Sequence, residues 1–497
     1  MASTPDLFRQ GIESMIDLRH PLAVLATRLP WAQIEAALAP KFAHEDRPGV
    51  LALRVDMLGP TLAVSGAGRS NAGRPKLALR LMASLVYLKH SFNLSDEELC
   101  ERWSENVLWQ FFSGQQFYEH RKPCDATQIG RFRTDLGEEG LEQLLKATID
   151  AAAAMKMVNA QDCERVTVDT TVQEKAIAHP VDSRLLEIAR HKVVSAAKRV
   201  GMTLKQTFAK QCKVLRRKAG GYAHAKQFKR LHRTVKRQRT ILGIVMREVQ
   251  RKLQAPGFAP ARAQALVELT TLMQRAERIR TQRRHDKNKL YALHAPEVEC
   301  IGKGKARKPY EFGVKAAVGN LHRIGLMVGA RSFPGNPFDG HILNPALEQA
   351  TNLMQDVGGT IKEVVADLGF RGVDADNTGK LIIHRGKFKS LSPQQKGWLK
   401  RRQAVEPAIG HLKSDHRMDR CWLKGALGDA LHTISCAAGY NLRWLMRQVA
   451  LRRIKALFLR ALRAMRDATY GQLASLEALK NHRHSHWTQN PTLACAA

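Results

Sequence analysis

Arg165-Val166-Thr167-Val168-Asp169-Thr170-Thr171-Val172 is a short β-branched run with an acid inside it, and its reading decides the fold. Branching at Cβ favours a pleated strand over a helix. A second such run, Glu363-Val364-Val365-Ala366-Asp367, also ends on an acid. Between them, residues 310–318 and 324–328 read as two strands, with Gly319-Asn320 as the hairpin signal. Residues 344–355 read as a helix, Lys380-Leu381-Ile382-Ile383-His384 as a fifth strand, and residues 393–413 as one long helix. The order is strand, helical insertion, two-stranded hairpin, helix, strand, strand, helix. That is an α/β class, a mixed sheet with flanking helices.

The insertion carries most of the charge. No Asp or Glu occurs between Ile188 and Arg247, while eighteen Lys and Arg fall there, about half of the net +35. Val193, Val194, Val214, Leu215, Phe228 and Leu231 interleave with the cations, which favours helix over a solvated tail. Apolar residues from Ile241 to Val249 and from Leu266 to Ile279 recur at helical spacing on either side of Pro256-Gly257 and Pro260. This predicts a basic antiparallel helical hairpin over residues 187–292. Arg216, Arg217, Lys218, Lys229, Arg230, Arg233, Lys236 and Arg237 are its candidate phosphate contacts; the alternative is a solvated spacer between two protomers.

Residues 1–155 read as all-α. Ser95-Asp96-Glu97-Glu98 is a capping box opening a helix through Trp103, and Asp125 or Thr127 caps a short helix carrying Arg131 and Arg133. That helix leads into an apolar one, and the two arginines are candidate DNA contacts of a helix-turn-helix-like arrangement. Trp103, Trp109, Phe111 and Phe112 read as core.

The 497 residues hold 80 Lys+Arg against 45 Asp+Glu and are 44% hydrophobic, enough apolar material for a core but self-repelling without a polyanion. Nucleic acid is the expected partner, and no run is long and apolar enough to predict a membrane span. The eight cysteines are scattered without a C-x-x-C pair, and the first residues lack a signal-peptide pattern; both point to a reduced, cytoplasmic, nucleoid-associated protein.

In so basic a chain, acids at strand ends carry information. Asp169, Asp367 and, on the long helix, Glu406 would converge if the two strands are neighbours and the helix crosses them. Converging carboxylates repel unless cations lie between them, and oxygen-only ligation suits Mg²⁺. Two such ions would stabilise the attacking and leaving oxygens of an in-line phosphoryl displacement. Each acid also has an ordinary reading: a strand-terminal Asp serves as a turn residue, and Arg402 with Glu406 as a helical surface pair.

Together these residues resemble the IS5-like DDE transposases of bacterial insertion sequences, within the wider IS4-type superfamily. Asp169-Thr170-Thr171 looks like the first-Asp motif and Asp367-Leu368-Gly369-Phe370 like the second. Arg402, Glu406 and Lys413 match three members of the Tyr-Arg-Glu-Lys signature, with Leu399 where the Tyr would fall and Trp398 adjacent. Gly73-Arg74-Pro75, the stretches 93–98 and 128–133, Glu311-Phe312-Gly313-Val314-Lys315 and Asn441-Leu442-Arg443 are also similar.

The resemblance implies an RNase H-like catalytic core in two parts, residues 160–186 and 293–445, split by the basic insertion, with a basic tail from residue 446 to 497. It implies that Asp169, Asp367 and Glu406 hold two Mg²⁺ ions, for which Mn²⁺ can substitute, and that Arg402 and Lys413 contact phosphates beside the scissile bond. Element-end and target duplex DNA would be the partners, with a homodimer in the synaptic complex. A catalytically silent DNA-binding descendant and a structure-selective RNase H-type nuclease are the other readings.

Overall fold

The computed structural model describes residues 9–42, 50–56, 59–65, 76–258, 263–302, 308–373, 377 and 379–487. The Gly73-Arg74-Pro75 segment and Pro260 lie outside the described residues.

The N-terminal region begins with α1 (Pro21–Arg28) and α2 (Trp31–Leu38), followed by an antiparallel pair, β1 (Val50–Asp56) and β2 (Gly59–Ser65). The all-α expectation is therefore corrected: Val50-Leu51-Ala52-Leu53 pairs with Leu62-Ala63-Val64-Ser65 in a strand ladder. Helices α3 (Leu79–Ser91), α4 (Asp96–Glu105), α5 (Val107–Phe112) and α6 (Ala126–Ala154) complete it. Ser95 caps α4 by accepting from Glu98 N–H at 3.1 Å. Asp125 rather than Thr127 caps α6, with Gln128 closing the capping box. Gly137, at φ +64°, breaks α6 into a short helix bearing Arg131 and Arg133 and a longer apolar one. Trp103, Trp109, Phe111 and Phe112 are all buried.

After α7 (Ala160–Cys163), β3 (Arg165–Glu174) enters the sheet. The insertion then comprises α8 (Asp182–Arg199), α9 (Ala209–His224), α10 (Phe228–Leu253) and α11 (Ala263–Thr281). It is thus four helices, not a two-helix hairpin, although α10 and α11 do flank Pro256-Gly257 as expected. Left-handed residues Gly201, Phe208 and Lys226 make the extra breaks. Helices α8, α10 and α11 bury a core of their own, including Leu186, Val193, Leu242, Val249, Leu269 and Ile279. That core is distinct from the main one.

The chain returns through β4 (Glu299–Gly302), β5 (Tyr310–Leu321), β6 (Met327–Phe333), α12 (Asp339–Leu353), β7 (Glu363–Ala366) and β8 (Leu381–Ile383). The turn between β5 and β6 falls at residues 322–325, where Gly325 takes φ +76°. Gly319 and Asn320 instead stay in the ladder, opposite Gly329 and Met327. The sheet runs β4-β5-β3-β7-β8, with β6 also on β5. β3 is antiparallel to β5 and parallel to β7, which is parallel to β8. Close approach at the β3–β5 junction needs Gly313, since a Cβ there would lie 1.9 Å from the Gln173 carbonyl oxygen.

The expected long helix is two: α13 (Pro393–Arg402) and α14 (Val405–Ser414). Pro407 is the physical reason. In a continuous helix its missing N–H and its ring would conflict with the Gln403 carbonyl, whereas in the first turn of α14 it costs nothing. Finally α15 (Gly425–Trp487) runs through the core and out of it. Leu431, Ile434, Ala438, Leu442 and Leu445 are buried, whereas Ile454, Phe458 and Met465 are exposed. The residues expected as a basic tail are helical through Trp487. Asn441 pins α15 to β6, accepting from Met327 N and donating to Met327 O and Thr148 Oγ1, each at 2.8–2.9 Å. One apolar core runs from Ile12 through the N-terminal helices and the sheet to Leu445.

Among the described residues, no helix is long and apolar enough to cross a membrane.

Candidate active site

The register of β3 against β7 places Val168 opposite Ala366, so Asp169 and Asp367 are the next residues on adjacent parallel strands. Their side chains therefore leave the sheet on one face. Asp169 sits inside β3 and is largely buried (14% exposed), while Asp367 caps the end of β7 and is half exposed (54%). Asp169 Oδ1 accepts from Thr170 N–H at 2.7 Å.

Arg402, the last residue of α13, joins the pair. Its Nη1 donates to Asp169 Oδ2 at 3.0 Å, and its Nη2 lies 3.5 Å from Asp367 Oδ1. A single guanidinium fork thus offsets the repulsion between neighbouring carboxylates. One turn earlier, Trp398 lies under the Arg165 guanidinium, 3.3 Å from ring centroid to Cζ, and Arg165 pairs with Glu363 on β7. Trp398 therefore anchors α13 where β3 and β7 begin, and Arg402 reaches the site from the same helix. Gly369 of the second motif leaves room for Asp339 at the start of α12; a Cβ there would meet Asp339 Oδ2 at 2.5 Å. Asp339 in turn is held by Lys315 of β5 at 2.9 Å.

Glu406 belongs to the next helix, α14. It is the second residue of α14 and is exposed. Among the described residues the three carboxylates are not gathered within 4.8 Å of one another. The turn at Gln403-Ala404 puts Arg402 at the end of α13 and Glu406 near the start of α14, on separate helices. Oxygen-only donors suit Mg²⁺ chemically. In this arrangement the Arg402 guanidinium bridges two of them, Asp169 and Asp367.

Lys413 lies elsewhere. Its Nζ is 3.7 Å from Glu311 Oε2, a buried carboxylate oxygen with no hydrogen-bond partner. Glu311 lies seven residues along β5 from Val318, the partner of Asp169, hence roughly 23 Å away at a rise of about 3.3 Å per residue.

The basic residues divide by exposure. Arg216, Arg217, Lys218, Lys229, Arg230, Arg233, Lys236 and Arg237 are all placed on α9 and α10, and all eight are exposed. Arg131 is exposed as well, but Arg133 is buried, 3.6 Å from Asp96, and is not offered to a partner. Beside Arg402 lies a cleft lined by His322, Arg323 and Arg401 that no sequence pattern marks. Burial, aided by Arg165 and Arg401, pushes His322 down to about 4, so it is neutral at pH 7. A buried ion triad is equally hidden: Lys175 meets Asp429 at 2.6 Å and Glu297 at 2.9 Å. It ties the end of β3 to α15; its three members lie more than 100 residues apart in sequence, beyond the reach of local patterns.

Comparison with known proteins adds two findings. Residues 55–135 match the family model described as Transposase domain (DUF772), which makes the chain transposase-like. A protein from Rhizobium meliloti described as uncharacterized protein ORF8 in the nfe locus is 42% identical over 223 residues, covering 45% of this chain and 95% of that protein. No solved structure matches the chain.

Proposed function

Because this chain belongs to the family of the nfe-locus protein of Rhizobium meliloti and carries a transposase domain, we propose that it is an IS5-like DDE transposase. It binds the ends of an insertion sequence, cleaves strands and transfers them into target duplex DNA. The observation that carries this reading is the side-by-side placement of Asp169 and Asp367 on parallel neighbours β3 and β7, clamped by Arg402. An antiparallel β5 on one side of β3, and β7 then β8 parallel on the other, supports an RNase H-like core.

Asp169, Asp367 and Glu406 would hold two Mg²⁺ ions, with Mn²⁺ able to substitute, and the bound ions would supply activation of water and stabilisation of the displaced oxygen. For that set to assemble, Arg402 leaves the two aspartates and turns to a phosphate of the bound strand. Glu406, near the start of α14, would complete the set. DNA is thus the trigger: its phosphates compete with Asp169 and Asp367 for the guanidinium. The cations of α9 and α10 hold the backbone of the flanking duplex, and two chains pair two ends. Lys413, salt-bridged to Glu311, positions β5 against α14 instead of reaching the scissile phosphate.

That the three carboxylates are not gathered within 4.8 Å among the described residues favours a second reading, a silent DNA-binding descendant. A marked donor flanked by the DNA bordering this gene distinguishes them. Movement driven by the wild type and lost with Glu406→Gln is the expected result. Movement with both removes Glu406 from the reaction; movement with neither, while both proteins bind the donor ends, establishes the silent reading.

A further inference from the structure

Helices α3 and α15 face each other in the interior, and three soft donors meet between them. His90 is the penultimate residue of α3, while His432 and Cys436 stand one turn apart on the same face of α15. All three are at least nine-tenths buried, at 1%, 4% and 0% exposure. One donor atom from each lies within 4.8 Å of the other two. We infer that His90, His432 and Cys436 form a binding site for a thiolate-seeking d¹⁰ cation, Zn²⁺ or Cu⁺, that joins α3 to α15.

Spacing, orientation and donor chemistry support this. Cys436 Sγ is 3.6 Å from His90 Nδ1. Metal–sulfur and metal–nitrogen bonds of about 2.3 and 2.0–2.1 Å, meeting at a tetrahedral angle, span an S···N edge of about 3.6 Å. His432 Nε2 is 2.8 Å from the Arg417 carbonyl oxygen. A carbonyl can only accept, so the proton sits on Nε2 and the Nδ1 lone pair is free to coordinate. This is the usual backbone support of a histidine ligand.

A cysteine binds such a cation as its thiolate, so loading the site releases one proton from Cys436. Lys89 and Arg133 are engaged by Asp96, at 2.6 and 3.6 Å. A thiolate with Cu⁺ adds no net charge to these cationic surroundings, whereas Zn²⁺ adds one positive charge; soft ligation admits both.

The full chain, purified under reducing conditions and stripped with chelator, is titrated in parallel with Zn²⁺ and with Cu⁺. Bound metal is counted by mass spectrometry, and Co²⁺ is tested for a thiolate charge-transfer band. About one ion per chain in either arm is expected, with a raised Tm, and Cys436→Ser should fall below about a tenth of that while still binding DNA. The arm that loads identifies the cation. If Cys436→Ser fails to fold, the wild-type cobalt band alone decides. No ion and no band in the wild type, or ions retained undiminished in Cys436→Ser, overturns the site.

Discussion

The Arg402 guanidinium donates to Asp169 Oδ2 at 3.0 Å while its second nitrogen lies 3.5 Å from Asp367. A positive charge between two acids both stabilises them and competes with any divalent ion for the same oxygens. Arg402→Ala should therefore bind Mn²⁺ about tenfold more tightly than wild type without DNA, and should still lose strand cleavage. Manganese paramagnetic resonance titration measures the first. Equal affinity in the two proteins would show that the guanidinium does not guard the pair.

The cations of α10 form a second, separable contribution. Replacing Lys229, Arg230, Arg233 and Lys236 together by Gln should weaken duplex binding, mostly at low salt. The slope of log K against log salt should flatten by about 3.6, roughly 0.9 for each phosphate no longer neutralised. Fluorescence anisotropy across a salt series reads this, and an unchanged slope assigns the bundle a spacer role.

Lys175 lies between Asp429 and Glu297 with all three side chains buried. Lys175→Met leaves two carboxylates without their cation and should destabilise the fold by about 3–5 kcal/mol in denaturant unfolding. Adding Asp429→Asn and Glu297→Gln should recover much of that loss. A Lys175→Met protein as stable as wild type would mean the triad contributes nothing net.

Acid should unfold the protein through its buried histidines. Burial pushes His322 and His416 down to about 4 and His432 to about 3. These groups are neutral in both states above the unfolded value near 6.5, so their contribution is complete there. As pH falls below about 6.5 the unfolded chain takes up their protons first. Each then costs about 1.4 kcal/mol per pH unit until the folded value is reached. Tm recorded between pH 7.5 and 4.5 should decline over that window; a flat profile would mean the histidines titrate normally.

The strands bearing Asp169 and Asp367 are legible in the sequence because β-branched runs ending on an acid leave little else to predict. The break ahead of Glu406 is legible too, in Pro407, yet the cations around it read as one continuous helix. Gly319-Asn320 misleads because glycine there serves the close β5–β6 pairing rather than a turn, which falls at Gly325. The first helices of the insertion part at Gly201, Phe208 and Lys226, and two of these three left-handed residues are of types that carry no turn signal. The grip of Arg402 on both aspartates is unreadable for another reason. It joins positions 233 residues apart, and the signature that marks Arg402 says nothing of which partner it holds at rest.

The bundle between β3 and β5 also sets an order of assembly. Glu174 pairs with Gly313, so the ladder that carries Asp169 cannot begin until some 139 further residues have left the ribosome. The intervening helices have a core of their own and can fold meanwhile, bringing the two strands towards each other and shortening the loop that must close. The wall supplied by α15 arrives last of all. On the proposed function, a chain released early would display its cationic helices without a finished sheet around Asp169, and so would occupy DNA without cutting it.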